Sequence, residues 1–294
     1  MAADNLPTAV VLTGSTARPD GGRWVRDPMP FGDVAGAVSL AEETGYRSVW
    51  VPDHGVWDPF TLLGALAPRT SRIGLATGVV TLASRRPADI AAAVWTLDEV
   101  SGGRAILGVG SGPERRMGVV ADRLAEVASA AGDVPRYLAA LGPSMVELAG
   151  RSADGVLLNW CSPARVARAR AEVARGAELA GRDPGEVTVA VYVRACLGHD
   201  EGHALAALRE AAGMYAGIPT YRRQLEAEGI GPSPEEMARA LCVWGDRDAA
   251  LERLAAWRDA GADLVVVYPV PAQEAVSSLL GTIMAAAPDP ALEG

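Results

Sequence analysis

The sequence predicts a (β/α)8 barrel that forms a single domain over residues 1–294. Two observations carry this prediction. Segments typical of strands alternate with segments typical of helices along the whole chain, and eight are of the strand type. Each of the eight is a continuous apolar run, which indicates parallel strands buried on both faces. Eight β-then-α units close most simply into a barrel, and an open doubly wound sheet is the alternative.

The predicted strands are short apolar runs that end in small or polar residues. The first, TAVVLTG, ends at Gly14, and the second, SVWVP, leads directly into Asp53. Function in such a barrel is expected where the strands end. In chain order the eight predicted strands cover residues 8–14, 48–52, 72–81, 104–112, 136–142, 154–160, 187–198 and 262–270.

The predicted helices fill the intervals between these strands. In the first, FGDVAGAVSLAEETG, Val34, Val38 and Ala41 share one face and Gly45 ends the helix. Residues 228–237, EGIGPSPEEM, are the clearest predicted loop. The predicted helices cover residues 31–45, 59–70, 87–103, 114–132, 144–151, 163–181, about 201–228 and 246–261.

Composition excludes several classes of protein. The net charge of -9 argues against non-specific nucleic-acid binding. The sequence contains no lysine, which excludes a P-loop nucleotide site and a pyridoxal-phosphate or Schiff-base enzyme. The N-terminus lacks the features of a signal peptide, and the apolar runs are too short to span a bilayer. We therefore expect a cytoplasmic protein that does not bind membranes.

The cysteines and two of the histidines do not suggest a metal site. Cys161, Cys196 and Cys242 are widely spaced and form no CxxC pair, so buried free thiols are expected. His199 and His203 are four residues apart in HDEGH, but a zinc protease motif needs Glu after the first His. The expected interpretation of HDEGH is a solvated helix start, and no metal is predicted.

The predicted strand ends are rich in glycine and poor in charge. Such a rim suits a flat, neutral ring system better than hydrolytic chemistry, which would need more carboxylates or metal ligands. The residues at these ends are Gly14-Ser15, Asp53-His54, Gly78-Val79, Gly110-Ser111-Gly112, Leu141-Gly142, Asn159-Trp160 and Tyr268.

Two glycine-containing motifs have alternative interpretations. LGVGSGPE (107–114) has Pro113 where a dinucleotide fingerprint needs its third glycine, so a Rossmann site is not expected. LGPSMVELAG (141–150) opens a helix whose free N–H groups at Gly142, Ser144 and Met145 could bind an anion. The alternative is that Ser144 only caps the helix.

His54 is the main candidate for chemistry. It follows Asp53 at the end of a predicted strand, where an acid and a histidine together favour ligand binding or proton transfer. A structural histidine is the alternative. No GxSxG motif supports a serine hydrolase, and a pairing of Cys161 with His54 is left open.

Five segments in order carry a resemblance to a known family. They are GYRSVWVPDH, DPFTLLGALAPRTSRIGLATGVV, RRPADIAAAVWTLDEVSGGRAILGVGSG, VPRYLAALGPSMVELAGRSADGVLLNW and AGADLVVVYPV. The chain resembles the luciferase-like monooxygenase superfamily and is most similar to its branch of coenzyme F420-dependent reductases and dehydrogenases. The resemblance implies a (β/α)8 barrel with insertions, commonly a homodimer. This chain departs from the family pattern between strands four and five, where only about twenty residues separate Gly112 from Pro135 and the usual insertion is shortened.

The resemblance also implies roles for individual residues. The family's cofactor ring lies over the barrel mouth, against a non-prolyl cis peptide that maps onto Gly78-Val79. The catalytic residues implied are His54, Asp53, Trp57 and Glu114, although Trp57 and Glu114 are each about one residue from the family position. The implied cofactor contacts, with the phosphate at Gly142-Pro143-Ser144, are Asp53, His54, Gly78, Val79, Gly110, Ser111, Gly112, Ala140, Leu141, Gly142, Pro143, Ser144 and Asn159.

These observations predict an F420H2-dependent reductase. Hydride would pass between C5 of the deazaflavin and an activated C=C or C=N bond of a small organic molecule, with a natural-product intermediate as one candidate. His54, oriented by Asp53, would donate a proton or contact the ring, and Trp57 would wall the substrate side. The alternatives are an FMN-dependent monooxygenase and a non-catalytic barrel that binds a flavin or deazaflavin.

Overall fold

Eight parallel strands close into a barrel in the computed structural model, which describes residues 8–20, 23–54, 56–114, 116–272 and 274–288. The strands are β1 (Ala9–Val11), β2 (Ser15–Asp20), β3 (Arg23–Pro28), β4 (Ser48–Val51), β5 (Gly74–Thr77), β6 (Val80–Thr81), β7 (Ala105–Gly110), β8 (Arg136–Ala139), β9 (Gly155–Asn159), β10 (Thr188–Leu197), β11 (Cys242–Gly245) and β12 (Leu264–Pro269).

The ring runs β1–β4–β5–β7–β8–β9–β10–β12 and closes from β12 back to β1. These eight strands are the eight that the sequence predicts, in the same order, so the predicted barrel is confirmed. Their parallel pairing brings all their carboxyl ends to one mouth.

Helices follow the barrel strands on the outside. They are α1 (Phe31–Glu43), α2 (Pro59–Leu66), α3 (Pro87–Ser101), α4 (Met117–Ala130), α5 (Pro143–Ser152), α6 (Pro163–Leu179), α7 (Glu201–Ala216), α8 (Pro219–Ala227), α9 (Pro234–Leu241), α10 (Arg247–Asp259) and α11 (Ala275–Ala285). Six of them begin with proline at the first helical position, where its missing N–H is not needed.

The structure corrects the predicted strands in three places. The antiparallel hairpin β2–β3 and the strand β11 were not predicted, and the predicted strand 72–81 is divided into β5 and β6. The hairpin lies in a polar segment without an apolar run, and β11 begins directly after the last residue of α9, so no turn residue marks its start. Both therefore lack the pattern on which strand prediction depends.

The predicted helix 201–228 and loop 228–237 also need correction. The helix is divided into α7 and α8 because Ile218 precedes a proline and is extended, with φ -81° and ψ 121°. The predicted loop ends early, because α9 already begins at Pro234. Ser233 caps α9 by accepting a hydrogen bond from Glu236 N–H. Ser233 and Glu236 form a capping-box spacing that was present in the sequence.

Aromatic rings fill the lower part of the barrel. Trp50, fully buried, meets Tyr137 edge to face at 5.2 Å between ring centroids and Tyr192 at 6.3 Å. The Trp50 indole N–H donates to Ser48 Oγ at 3.0 Å, so its polar group is satisfied. This packing closes the barrel below, and open space is left at the mouth.

The residues that the structure describes contain no candidate membrane-spanning helix and no candidate metal-binding cluster. No helix in the described ranges is long and apolar enough to cross a membrane. Within the same ranges, no three His, Cys, Asp or Glu side chains lie together in a way that could hold a metal ion.

Candidate active site

A cavity of about 790 Å³ opens at the carboxyl ends of the barrel strands. Its size is in the range of small-molecule and cofactor sites. All thirteen residues that the sequence predicts as cofactor contacts line this cavity. The structure therefore brings them together, while the role of each residue remains a prediction.

The loop after β5 forms one wall of the cavity. Gly78 and Val79 are joined by a cis peptide bond at the position that the resemblance implies. Tyr192 Oη donates to Gly78 O at 3.0 Å across the barrel. A Cβ atom on Gly78 would lie 2.0 Å from Tyr192 Oη, so only glycine fits there. Gly78 is thus required by close packing.

A threonine hydroxyl compensates for the interruption of the sheet at this loop. Thr77 Oγ1 donates to Gly108 O and accepts from Gly108 N–H, both at 2.9 Å. These two bonds replace ladder bonds that β5 cannot make once it turns away. The neighbouring end of β7 brings Gly110, Ser111 and Gly112 to the cavity wall.

The loop from β8 to α5 forms the outer edge of the cavity. Ala140, Leu141, Pro143 and Ser144 line it together with Gly142, the residue that precedes the helix. No side chain caps the start of α5. The interpretation of Ser144 as a plain cap is therefore wrong, because Gly142 is the capping residue and Ser144 lies inside the first turn.

The start of α5 offers fewer free N–H groups than expected. Met145 N–H donates to Gly142 O at 3.1 Å, which leaves the N–H groups of Gly142 and Ser144. Arg165 holds this loop from behind, since its Nη2 donates to Leu141 O at 2.7 Å and to Glu172 Oε2 at 2.8 Å. A fixed, uncapped helix start is a favourable position for an anion.

His54 contacts a residue from the last strand of the barrel. Its Nε2 lies 3.0 Å from Tyr268 Oη, and both side chains line the cavity. Sequence reasoning noted Tyr268 at a strand end but did not connect it to His54, because the two are 214 residues apart. The ring of His54, which follows β4, is therefore held by a phenol from β12, two strands away in the ring.

Asp53 is engaged by an arginine. Arg85 Nη2 donates to Asp53 Oδ2 at 3.2 Å and to Asp58 Oδ2 at 2.5 Å. Partial burial raises the pKa of Asp58, but hydrogen bonds from Thr61 and Arg85 outweigh it, and the net pKa is lowered. The sequence predicts that Asp53 orients His54. In the structure, the Asp53 carboxylate forms an ion pair with Arg85.

Trp57 and Glu114 are not among the residues that line the cavity. Trp57 Nε1 donates to Gly14 O at 2.9 Å, and its ring lies beside a separate surface pocket with Met29 and Phe31. Glu114 forms an ion pair with Arg116 at 2.9 Å. The structure thus brings His54 and Asp53 to the cavity but leaves these two residues outside it.

The inner wall contains a charged residue that sequence reasoning missed. Arg194, on β10, lines the cavity and is only 3% exposed. Its signal in the sequence is an arginine inside the apolar run VTVAVYVRACLG, where buried charge is rare. Asn159, a predicted contact, accepts a hydrogen bond from Arg194 Nη1 and donates to Tyr221 Oη at 2.7 Å.

Comparison with known proteins identifies the family. Two stretches, residues 9–125 and 115–264, match the luciferase-like monooxygenase family, and together they cover most of the chain. The chain belongs to this family. It is 34% identical to the 5,10-methylenetetrahydromethanopterin reductase of Methanolobus tindarius over an alignment of 258 positions that covers 76% of this chain and 78% of that protein. The family resemblance noted in the sequence is therefore confirmed.

Two solved structures illustrate the shared fold. The F420-dependent tetrahydromethanopterin reductase from Methanopyrus kandleri has a TM-score of 0.76 at 23% identity, covering 95% of this chain and 98% of its own. The FMN complex of the oxygenating constituent of 3,6-diketocamphane monooxygenase from Pseudomonas putida has a TM-score of 0.72 at 15% identity, covering 98% and 99%. Proteins that share this fold thus include one described as F420-dependent and one with FMN bound.

Proposed function

We propose that this chain is an F420-dependent oxidoreductase that acts on a small organic molecule. In this proposal hydride passes between C5 of the deazaflavin and an activated C=C or C=N bond. The observation that carries it is that the strand ends resembling the family's cofactor site surround one cavity. The relative at 34% identity is a reductase, which favours reduction over oxygenation.

The residues present fit such a cofactor. Gly78 and Gly110 leave no side chain between the backbone and a flat ring, and Val79 Cγ2 would lie only 3.0 Å from a Cβ on Gly110. The N–H groups at the uncapped start of α5 would hold the phosphate. When bound, the deazaflavin supplies or accepts the hydride, and the chain positions the reactants and excludes water.

His54 is the proposed proton donor or acceptor. Its Nε2 is hydrogen-bonded to Tyr268 Oη at 3.0 Å, so a proton at that nitrogen has a defined position on the cavity wall. An imidazole held in one orientation is suited to general acid–base chemistry. Asp53 is proposed to position His54 indirectly. Its ion pair with Arg85 would fix the backbone that carries His54.

The homodimer and the cytoplasmic location predicted from the sequence belong to this proposal as well. Sedimentation equilibrium of the purified protein tests the dimer, and a single species of the monomer mass would contradict it.

The test of the proposed activity is anaerobic oxidation of F420H2 with a panel of enones and imines. We expect turnover with at least one panel member, and a fall of about 100-fold or more in turnover for His54→Gln. His203→Gln is the matched control, because His203 is on the surface, with its side chain 55% exposed. An active His54→Gln enzyme would remove the role of His54, and tight F420 binding without any turnover would favour the non-catalytic barrel.

A further inference from the structure

Arg194 is a buried cation without a described counter-ion. It is 3% exposed, and no carboxylate of the residues that the structure describes forms an ion pair with it. Buried charges in proteins are normally paired with an opposite charge, because an isolated charge loses its hydration without compensation. Arg194 is therefore suited to bind an anion.

The groups around Arg194 orient its guanidinium without neutralising it. The guanidinium carbon lies 4.3 Å from the ring centroids of Trp160 and Tyr268 and 5.3 Å from that of Tyr215. Its Nη1 donates to the amide oxygen of Asn159. A guanidinium has five N–H donors. The guanidinium of Arg194 makes only this one hydrogen bond with the residues that the structure describes. The remaining donors are available toward the cavity that Arg194 lines.

The position of Arg194 separates it from the proposed phosphate site. Gly142, Pro143 and Ser144 at the start of α5 are exposed, whereas Arg194 is in the interior. In the ring of eight strands, β10 is opposite β5, which carries the Gly78 wall. A cofactor with its phosphate at the exposed edge and its ring against Gly78 and Val79 would leave Arg194 facing it across the cavity.

We propose that Arg194 binds an anionic group of the substrate, so that the substrate class is a small, largely apolar carboxylic acid. This inference rests on the proposed function. A guanidinium matches a carboxylate through two parallel N–H bonds. The apolar character follows from the rings of Tyr215 and Tyr268, which contact Arg194, and from Ile218, which lines the same cavity.

The test compares benzoate with benzamide, a neutral molecule of the same shape, by isothermal titration calorimetry on the full chain. We expect the wild-type protein to bind benzoate at least tenfold more tightly than benzamide. Arg194→Met should abolish this preference. Arg253→Met is the matched control, because Arg253 also stacks on a tryptophan, Trp244 at 4.5 Å, but is not part of the cavity lining. It should retain the preference.

A second variant keeps the proposal testable if Arg194→Met does not fold. Asn159→Asp would place a carboxylate on the existing partner of Arg194 and so supply an internal counter-ion. Benzoate binding should then fall at least tenfold, while the fold is kept. Retained benzoate preference in Asn159→Asp, or equal affinities for benzoate and benzamide in the wild type, would overturn the proposal.

Titration with F420 separates this inference from the proposed function. We expect Arg194→Met to bind F420 within about threefold of the wild type. A large loss of F420 affinity together with an unchanged benzoate preference would assign Arg194 to the cofactor and overturn the inference. Failure of the wild type to bind F420 would contradict the proposed function alone, because the benzoate comparison is made without cofactor.

Discussion

At the scale of single residues, the cavity wall at Gly78 depends on the absence of a side chain. A Cβ there would lie 2.0 Å from Tyr192 Oη and 3.2 Å from Trp50 Cβ, both of which are packed in the barrel interior. Gly78→Ala is expected to destabilise the fold by about 1–3 kcal/mol through overpacking and to weaken F420 binding. Urea unfolding and F420 titration measure the two effects.

Gly64→Ala is the control for this substitution. Gly64 is inside α2 and has no atom within 4 Å of the position of an added Cβ. Alanine should therefore stabilise the helix by about 0.5–1 kcal/mol and leave cofactor binding unchanged. Equal stability of Gly78→Ala and the wild type would show that the cavity wall can yield, which would contradict the role of close packing at Gly78.

Single residues also show the limit of sequence reasoning at this site. His54, Asp53 and Gly78 were found because strand ends in a barrel share one mouth, a rule that needs only the order of the strands. Tyr268 as the partner of His54 could not be found, because that contact depends on where two side chains from different strands point at the mouth. Arg194 carried a signal in the sequence, a charge within an apolar run, that was overlooked.

At the scale of secondary-structure elements, the start of α5 is the proposed phosphate site. Ser144→Asp would place a negative charge in the first turn, which is expected to stabilise the helix by about 0.3–1 kcal/mol. The same charge would repel a phosphate, so F420 affinity should fall about tenfold or more, a change of about 1.4 kcal/mol in binding. Fluorescence titration and thermal unfolding measure both effects.

Ala164→Asp is the matched control for Ser144→Asp. Ala164 occupies the same position in α6, after a proline at the first helical position, and it is exposed and does not line the cavity. The control should gain similar stability without losing F420 affinity. If both variants bind F420 as the wild type does, the phosphate is not held at α5.

Glu228, at the end of α8, accepts a hydrogen bond from Ser162, at the start of α6, and this contact leads to a prediction about the pH dependence of stability. Burial raises the pKa of Glu228 above its usual value of 4.5, although hydrogen bonds from the hydroxyl and N–H of Ser162 oppose the rise. The folded chain then binds more protons than the unfolded chain between the two pKa values. The stability contributed by protonated Glu228 is therefore full below pH 4.5 and is lost as the pH rises through the folded pKa.

Glu228→Gln should remove this dependence. Its amide oxygen can still accept from Ser162, but the side chain no longer ionises. We expect the variant to match the wild type near pH 4 and to be more stable near pH 7, as measured by urea unfolding at both values. Glu226→Gln, an exposed residue of α8, is the control. An identical pH profile for Glu228→Gln and the wild type would contradict the raised pKa.

The boundaries of helices could be predicted from the sequence where a single residue, such as proline or glycine, determines them. Prolines marked the starts of α3 and α6, and Gly102, with φ 71°, ends α3 as a left-handed C-cap. The hairpin β2–β3 and the strand β11 could not be predicted in this way. β11 is stabilised by pairing with the end of β10, a tertiary contact that its four residues do not reveal.

At the scale of the whole molecule, the barrel was predictable because its eight strands are buried on both faces and so form continuous apolar runs. The position of the cavity could be predicted from the sequence, but its shape could not. Its floor is set by the packing of Trp50, Tyr137 and Tyr192, which come from three strands. Its outer edge depends on the start of α5, where Gly142 rather than Ser144 precedes the helix and no side chain caps it. Such features arise only when distant segments meet.

The central claim is that this cavity takes a deazaflavin, and fluorescence titration of the purified protein with F420 and with FMN tests it most directly. We predict saturable binding of one F420 per chain, with FMN at least tenfold weaker. Saturable binding of FMN with no change on addition of F420 would contradict the claim and identify the protein as an FMN-binding member of the luciferase-like family.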